Sequence, residues 1–301
     1  MPEKNHSPVN SILILYNAAK SLSREALDIA KKYLFASGIK FHIAEHLQMN
    51  HDGTKDDAHI PELTQNCDAV LVLGGDGTIL GAARRIVDSP RPLLGINLGG
   101  FGFLTACGFD EIGWGLECLL SGKYNLVKRH LLEAKVIRPS AKDHQERFRS
   151  YAMNEALVTL LHPGRLLDIW VGEDEKNALA YRADGLIVAT PTGSTGHSLS
   201  AGGPILEPHL PALVITPVSP HSLFNRPLVF DGEQEFRIWF REGAEKVGLI
   251  LDGQVQTTLL STDRIQIRRL KRTIPTVSLP DRSFSQILRV KFNLGEGSQG
   301  H

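Results

Sequence analysis

Cysteine is scarce in this chain: its 301 residues include three, Cys67, Cys107 and Cys118. An odd, sparse count at no metal-ligand spacing argues against a disulfide framework and fits reduced thiols. Net charge is absent, with 33 basic and 33 acidic residues. That balance argues against a nucleic-acid surface, so any phosphate chemistry must rest on local groups. Long apolar runs are missing too, none approaching the ~18 residues of a membrane span. The stretch Ser11–Tyr16 behind the polar opening MPEKNHSPVN is too short for a signal segment. These absences leave a cytoplasmic chain with no membrane partner as the expectation. Its 42% apolar and 22% charged residues are ordinary for a globular protein.

The first part of the chain alternates strand-like and helix-like segments. Ile12–Tyr16 and Ala69–Leu73 are short apolar runs of the buried-strand kind, Lys40–Glu45 alternates, and Leu93–Ile96 is a further strand. Arg24–Ala36, Ile79–Val87 and Glu111–Leu120 have helical spacing, and Asp52–Asp57 is a polar loop. Such alternation predicts an α/β domain with a parallel sheet, over residues 1–124. Beyond it the rhythm becomes short strands: Leu131–Arg138, Tyr151–Leu160, Leu167–Gly172, Leu186–Thr190, Ala212–Thr216, Phe236–Phe240, Gly248–Leu251 and Arg264–Ile267. Only Thr195–Ala201 among them has helical potential. The expectation is an all-β, sandwich-like domain over 125–282. Ser283–Phe292 reads as a closing helix or strand, and Gly295–His301 as a tail.

Four segments carry chemistry. Gly74-Gly75-Asp76-Gly77-Thr78 follows a buried strand and precedes a helix. Glycines there let backbone approach a phosphate, and a helix N-terminus presents free N–H groups to it. The plainer alternative is a tight turn with Asp76 as an N-cap. Neither the G-x-G-x-x-G dinucleotide fingerprint nor a Walker lysine is present. A second glycine cluster, Gly95 to Leu104 with Gly99, Gly100 and Gly102, follows the next strand; alone, it could be a simple loop. Asn154-Glu155 lies inside a strand-like run, where neighbouring side chains point to opposite faces unless the strand breaks. An uncharged setting would penalise Glu155 unless it met a donor, and ribose hydroxyls are suitable donors. Without context, an exposed edge pair is the better explanation. Tyr181–Pro204, YRADGLIVATPTGSTGHSLSAGGP, sends an apolar strand into a glycine- and hydroxyl-rich turn suited to ribose and phosphate oxygens. Capping explains one or two of its residues, not the run. For His221, in Ser219-Pro220-His221, a structural hydrogen bond is the default.

Taken in order, LGGDGT (Leu73–Thr78), GINLGGFGFLT (Gly95–Thr105), MNEALV (Met153–Val158), RADGLIVATPTGST (Arg182–Thr195), SLSAGGPI (Ser198–Ile205) and SPHSLFNRPLV (Ser219–Val229) resemble the NAD kinases. The resemblance implies an enzyme that phosphorylates the adenosine-ribose 2′-hydroxyl of NAD from ATP or polyphosphate. It implies two domains, α/β then β, with residues 283–301 returning to the first. It also implies homodimers or homotetramers in which a neighbouring subunit completes the NAD site, and a divalent cation, Mg²⁺, on the donor. Residue by residue, Asp76 matches the catalytic aspartate, and Asn154 and Glu155 match the ribose-binding pair. Asp184 matches the acid near the nicotinamide, while Thr195, Gly196, His197 and Ser200 match the segment lining the dinucleotide. Gly77 accompanies Asp76 at the NAD, and Gly74, Gly75, Thr78, Gly99 and Gly100 match the phosphate-donor loops. No protein metal ligand is implied. Arg182 goes with a preference for NAD over NADH. The chain departs from the family at Gly196-His197, where Ala-Tyr is usual, and at Ala183, where glycine or serine is. GGDGT alone also occurs in lipid and sphingoid kinases. A regulator that binds nucleotide without catalysis is the alternative from another class, against which the retained Asp76 argues.

Overall fold

The computed structural model describes residues 7–45, 59–100, 102–139, 144–162, 166–222, 225–241 and 246–293. The expected polar loop at Asp52–Asp57, the tail Gly295–His301, and Phe101, Leu223 and Phe224 of the quoted motifs lie outside them. Among the described residues, 7–45, 59–127 and 274–293 form one unit and 128–273 another.

The first unit is built on the parallel strands β1 (Ser11–Tyr16), β2 (Lys40–Glu45), β3 (Ala69–Gly74) and β4 (Leu93–Asn97). They stand in the order β2-β1-β3-β4, and the two-residue β5 (Cys107–Gly108) pairs with β4. β3 and β4 are buried along their whole lengths, as parallel strands covered on both faces must be. The helices are α1 (Ser23–Ala36), α2 (His59–Gln65), α3 (Asp76–Arg85) and α4 (Ile112–Ser121). Ala26, Ala30 and Leu34, four residues apart on α1, are fully buried with β1, β3 and β4 residues in one core. The strand order reverses between β1 and β3, and the GGDGT turn leaves the carboxyl end of β3. Ligands of open α/β sheets bind at such a switch point. α3 begins at Asp76 rather than at Ile79, so Gly75 is the N-cap and Asp76 the first helical residue.

The second unit contains β6 (Asn125–Pro139), whose first residues belong to the first unit, then β7 (His144–Ala152), β8 (Glu155–Leu160), β9 (Leu167–Gly172), β10 (Leu179–Ala183) and β11 (Gly185–Ala189). After the short α5 (His197–Ser200) come β12 (Ala212–Val218), β13 (Leu228–Asp231), β14 (Glu235–Phe240), β15 (Val247–Leu251), β16 (Val255–Leu259) and β17 (Arg264–Ser278). One antiparallel sheet runs β13-β12-β11-β8-β15-β16; the other runs β7-β6-β17-β14-β9-β10. Leu132, Val158, Ile169, Leu186, Phe236, Leu249 and Ile265, from both sheets, share one core, which makes the unit a β-sandwich. β14 shows the cause, with Phe236, Ile238 and Phe240 inward and the residues between them outward. The last residues of β17 belong to the first unit, and α6 (Phe284–Phe292) follows there as a helix.

The α/β-then-β reading of the sequence therefore holds. One strand reading does not: Tyr151–Leu160 is two strands, broken at Met153-Asn154. β10, β13, β16 and α2 have no counterpart among the segments read from sequence.

Candidate active site

Asp76 sits at the end of β3 because two glycines let the chain turn there. A side chain on Gly74 would collide with the Thr78 side chain, whose Oγ1 accepts the Gly75 N–H at 3.4 Å. The half-buried Asp76 carboxylate is gripped by the second glycine loop: Oδ2 accepts the Phe103 N–H at 2.8 Å and Oδ1 the Leu104 N–H at 3.1 Å. Gly102 lies against the same carboxylate, and a Cβ there would strike Oδ1. Each oxygen still has capacity for one more hydrogen bond.

The buried side chain of Asn97 shapes that second loop. Its Oδ1 accepts the Gly99 N–H at 2.8 Å, and its Nδ2 donates to the Gly100 carbonyl at 2.6 Å and to Thr105 Oγ1 at 3.2 Å. The Leu98 N–H donates to the Gly74 carbonyl at 3.0 Å, tying the two loops together. The Gly99 N–H is thus engaged inside its own loop, and Gly77 is the exposed residue of the first. Asn97 was not singled out in the sequence, although it stands in the quoted GINLGG segment.

In the second unit, Glu155 opens β8 and Asn154 occupies the bend before it. The bend is held from far along the chain by Asp252. Its Oδ2 accepts the Met153 N–H at 3.0 Å, and its Oδ1 accepts those of Asn154 and Glu155 at 2.8 and 3.2 Å. Asp252 and Gly253 begin the three-residue β15–β16 turn with φ of +51° and +65°, both left-handed, and the Gln254 N–H closes it on the Leu251 carbonyl at 2.9 Å. The Asp-Gly pair between the apolar run LIL and the mixed run QVQT was the available sequence signal for this residue, which sequence reasoning missed.

Glu155 is 7% exposed, and its Oε2 has no hydrogen-bond partner. Burial, and secondarily the nearby Asp252 carboxylate, push its carboxyl up to about 8. Gly196 leaves space in front of it: a Cβ there would lie 3.3 Å from Glu155 Oε2 and 3.5 Å from Asn154 Nδ2. The hydroxyl-rich turn is locked to the same bend. The Thr190 N–H donates to the Asn154 carbonyl at 2.9 Å, Thr190 Oγ1 donates to the Met153 carbonyl at 2.5 Å, and the Gly193 N–H donates to Thr190 Oγ1 at 3.2 Å. Thr195 Oγ1 donates to the Thr192 carbonyl at 3.2 Å.

The fold therefore gathers Asn154, Glu155 and Gly196 with Asp252. His197 and Ser200, on α5, are exposed. Arg182 and Asp184 are exposed elsewhere: Arg182 Nε lies 3.9 Å from Asp168, and the Asp184 N–H donates to the Val218 carbonyl at 3.0 Å. The His221 N–H donates to the Arg182 carbonyl at 2.9 Å. Among the described residues, no group of three or more His, Cys, Asp or Glu could hold a metal ion, and no helix is long and apolar enough to cross a membrane.

An α/β unit with a glycine-cradled aspartate, followed by a β-sandwich with a buried, half-unpartnered carboxyl, suits phosphoryl transfer to a polar acceptor. Comparison with known proteins agrees. The ATP-NAD kinase N-terminal domain matches residues 15–124, and the ATP-NAD kinase C-terminal domain matches residues 153–279. The NAD kinase of Solibacter usitatus is 42% identical over 236 residues, 78% of this chain and 80% of that protein. The NAD kinase of Geotalea daltonii is 38% identical over 269 residues, 88% and 92% of the two chains. In fold, the chain resembles yeast NADH kinase crystallised with NADH, at TM-score 0.83 and 23% identity over 97% of this chain and 89% of that one. It also resembles an NAD kinase from Archaeoglobus fulgidus in complex with ATP, at TM-score 0.69 and 22% identity over 94% and 97%. The chain belongs to the NAD kinase family.

Proposed function

We propose that this chain transfers the terminal phosphoryl group of ATP to the 2′-hydroxyl of the adenosine ribose of NAD, with Asp76 as the general base. The new P–O bond forms at the ribose oxygen and the bond to ADP breaks. The hydroxyl proton passes to Asp76 and then to solvent. One observation carries this reading: two backbone N–H groups fix the Asp76 carboxylate while leaving each oxygen able to accept from a hydroxyl. The turn from Gly74 to Thr78 at the N-terminus of α3, with Gly100 beside it, cradles donor phosphates. Asn154 and Glu155 hold ribose hydroxyls, which supply the partner that Glu155 Oε2 lacks. Thr195, Gly196, His197 and Ser200 line the dinucleotide, Asp184 serves its nicotinamide end, and Arg182 favours NAD over NADH.

Magnesium would enter with the donor, whose phosphate oxygens and water would hold it. When bound, it neutralises charge on the phosphates. We also assign the two units as the functional domains, and the enzyme to the cytoplasm as a homodimer or homotetramer; light scattering on the purified chain reads the assembly directly. A coupled assay for NADP formation tests the function, run with ATP or polyphosphate as donor and NAD or NADH as acceptor. ATP with NAD is expected to give the fastest turnover, and no NADP from either donor would overturn the assignment.

A further inference from the structure

The last helix, α6, buries none of its residues. Its start is secured locally: the Ser283 N–H donates to Gln286 Oε1 at 2.6 Å, and the Gln286 N–H donates back to Ser283 Oγ at 3.3 Å. Just before it, Arg282 is tied to Glu111 at 2.7 Å. Its far end meets the loop that grips Asp76. The Phe292 ring lies 5.9 Å from the Phe103 ring, tilted by 39°, and Lys291 Nζ stands 5.6 Å from the centre of the Phe103 ring. Phe103 is the residue whose N–H donates to Asp76 Oδ2, and its neighbour Gly102 lies against the same carboxylate. Backbone packed that closely cannot shift without moving the carboxylate.

We propose that Phe292 is a positioning residue for phosphoryl transfer: by packing on Phe103 it holds the Gly102–Leu104 backbone, and through it the Asp76 carboxylate, in reacting position. The helix is a brace, pinned at Arg282 and seated at Phe292. An aromatic contact of this kind corresponds to about two- to tenfold in an equilibrium constant. The catalytic consequence rests on Asp76 being the base.

The test uses the full chain with Phe292→Ala, Phe292→Tyr and Val290→Ala, Val290 being 65% exposed on the same helix. Phe292→Ala is expected to lower kcat about two- to tenfold and to leave KM for NAD within about twofold. Amide exchange across residues 102–104 should quicken by a similar factor. Phe292→Tyr should restore both, and Val290→Ala should match wild type. Unchanged kcat and exchange in Phe292→Ala would overturn the proposal, as would failure of tyrosine to rescue or an equal loss in Val290→Ala. Asp76→Asn, measured alongside, tests the base assignment separately. If that assignment fails, the exchange data still decide whether Phe292 braces the loop.

Discussion

The two carboxyl groups at the centre of this account live in opposite surroundings. Asp76 is half-exposed, and each of its oxygens accepts a backbone N–H. Glu155 is buried, leaves Oε2 without a partner, and has its carboxyl pushed up to about 8. A group fixed by N–H donors at a helix start is ready to act on a proton. A buried carboxyl with one oxygen unpartnered can still take up a ligand hydroxyl. On the roles proposed above, the difference separates chemistry from binding, and substitutions test it.

The largest effect is expected from Asp76→Asn, which removes the base and turns one of the two N–H acceptors into a donor: NADP formation should fall by about 10²–10⁴-fold while calorimetry finds NAD binding preserved. Gly102→Ala tests the grip itself. Its Cβ would strike Oδ1, so either the loop or the carboxylate must move, and a displacement near 1 Å costs up to about 10²-fold in rate. A Gly102→Ala enzyme with wild-type kcat would show that the close approach is incidental.

Glu155→Gln should raise KM for NAD by about two- to tenfold and leave KM for ATP nearly unchanged, in line with one neutral hydrogen bond lost. It also has a stability signature. The folded protein keeps a proton on Glu155 up to about pH 8, whereas the unfolded chain releases it near the ordinary carboxyl value of 4.5. The folded state then binds more protons than the unfolded one, so stability falls as pH rises through that window. Glutamine cannot ionise and escapes the fall. Thermal melts of the two proteins should therefore draw together near pH 4.5 and separate towards pH 8, with the variant melting higher. Parallel curves would mean that Glu155 is already paired.

The smallest effect is expected at His197, which is exposed on α5 and stands where the family resemblance implies a tyrosine. His197→Tyr should tighten NAD binding about two- to tenfold with little change in kcat. Weaker binding by the variant would refute stacking. A wild-type affinity that changes between about pH 6 and 8, absent from the variant, would identify the imidazole as a polar contact.

Much of the fold was legible because local patterns agreed with it. The ILILY and AVLVL runs are too apolar for anything but buried strands, and the alternation in β9 and β14 announces a sandwich. The bend at Met153-Asn154 was not legible. It depends on Asp252, about a hundred residues later, accepting three N–H groups, and no local pattern contains that. Without the bend, Asn154 and Glu155 read as opposite faces of one strand. β13 and β16 escaped notice because their runs are short and mixed, although β16 follows directly on the Asp252-Gly253 turn and pairs with β15. The candidate site was visible as segments rather than as geometry. GGDGT marked the turn, but the contact of Gly102 with Asp76 requires the loops of β3 and β4 to be side by side. The penalty on an unpartnered Glu155 could be anticipated from its apolar neighbours; which oxygen is idle could not.

The division of labour between the two carboxyls is tested most directly by steady-state NADP formation in Asp76→Asn and Glu155→Gln, with NAD and ATP each varied at saturation of the other. Asp76→Asn should lose kcat at unchanged KM for NAD, and Glu155→Gln should lose affinity for NAD at nearly unchanged kcat. An Asp76→Asn enzyme that keeps more than about a tenth of kcat, or shows its whole loss in KM for NAD, would contradict that division of labour.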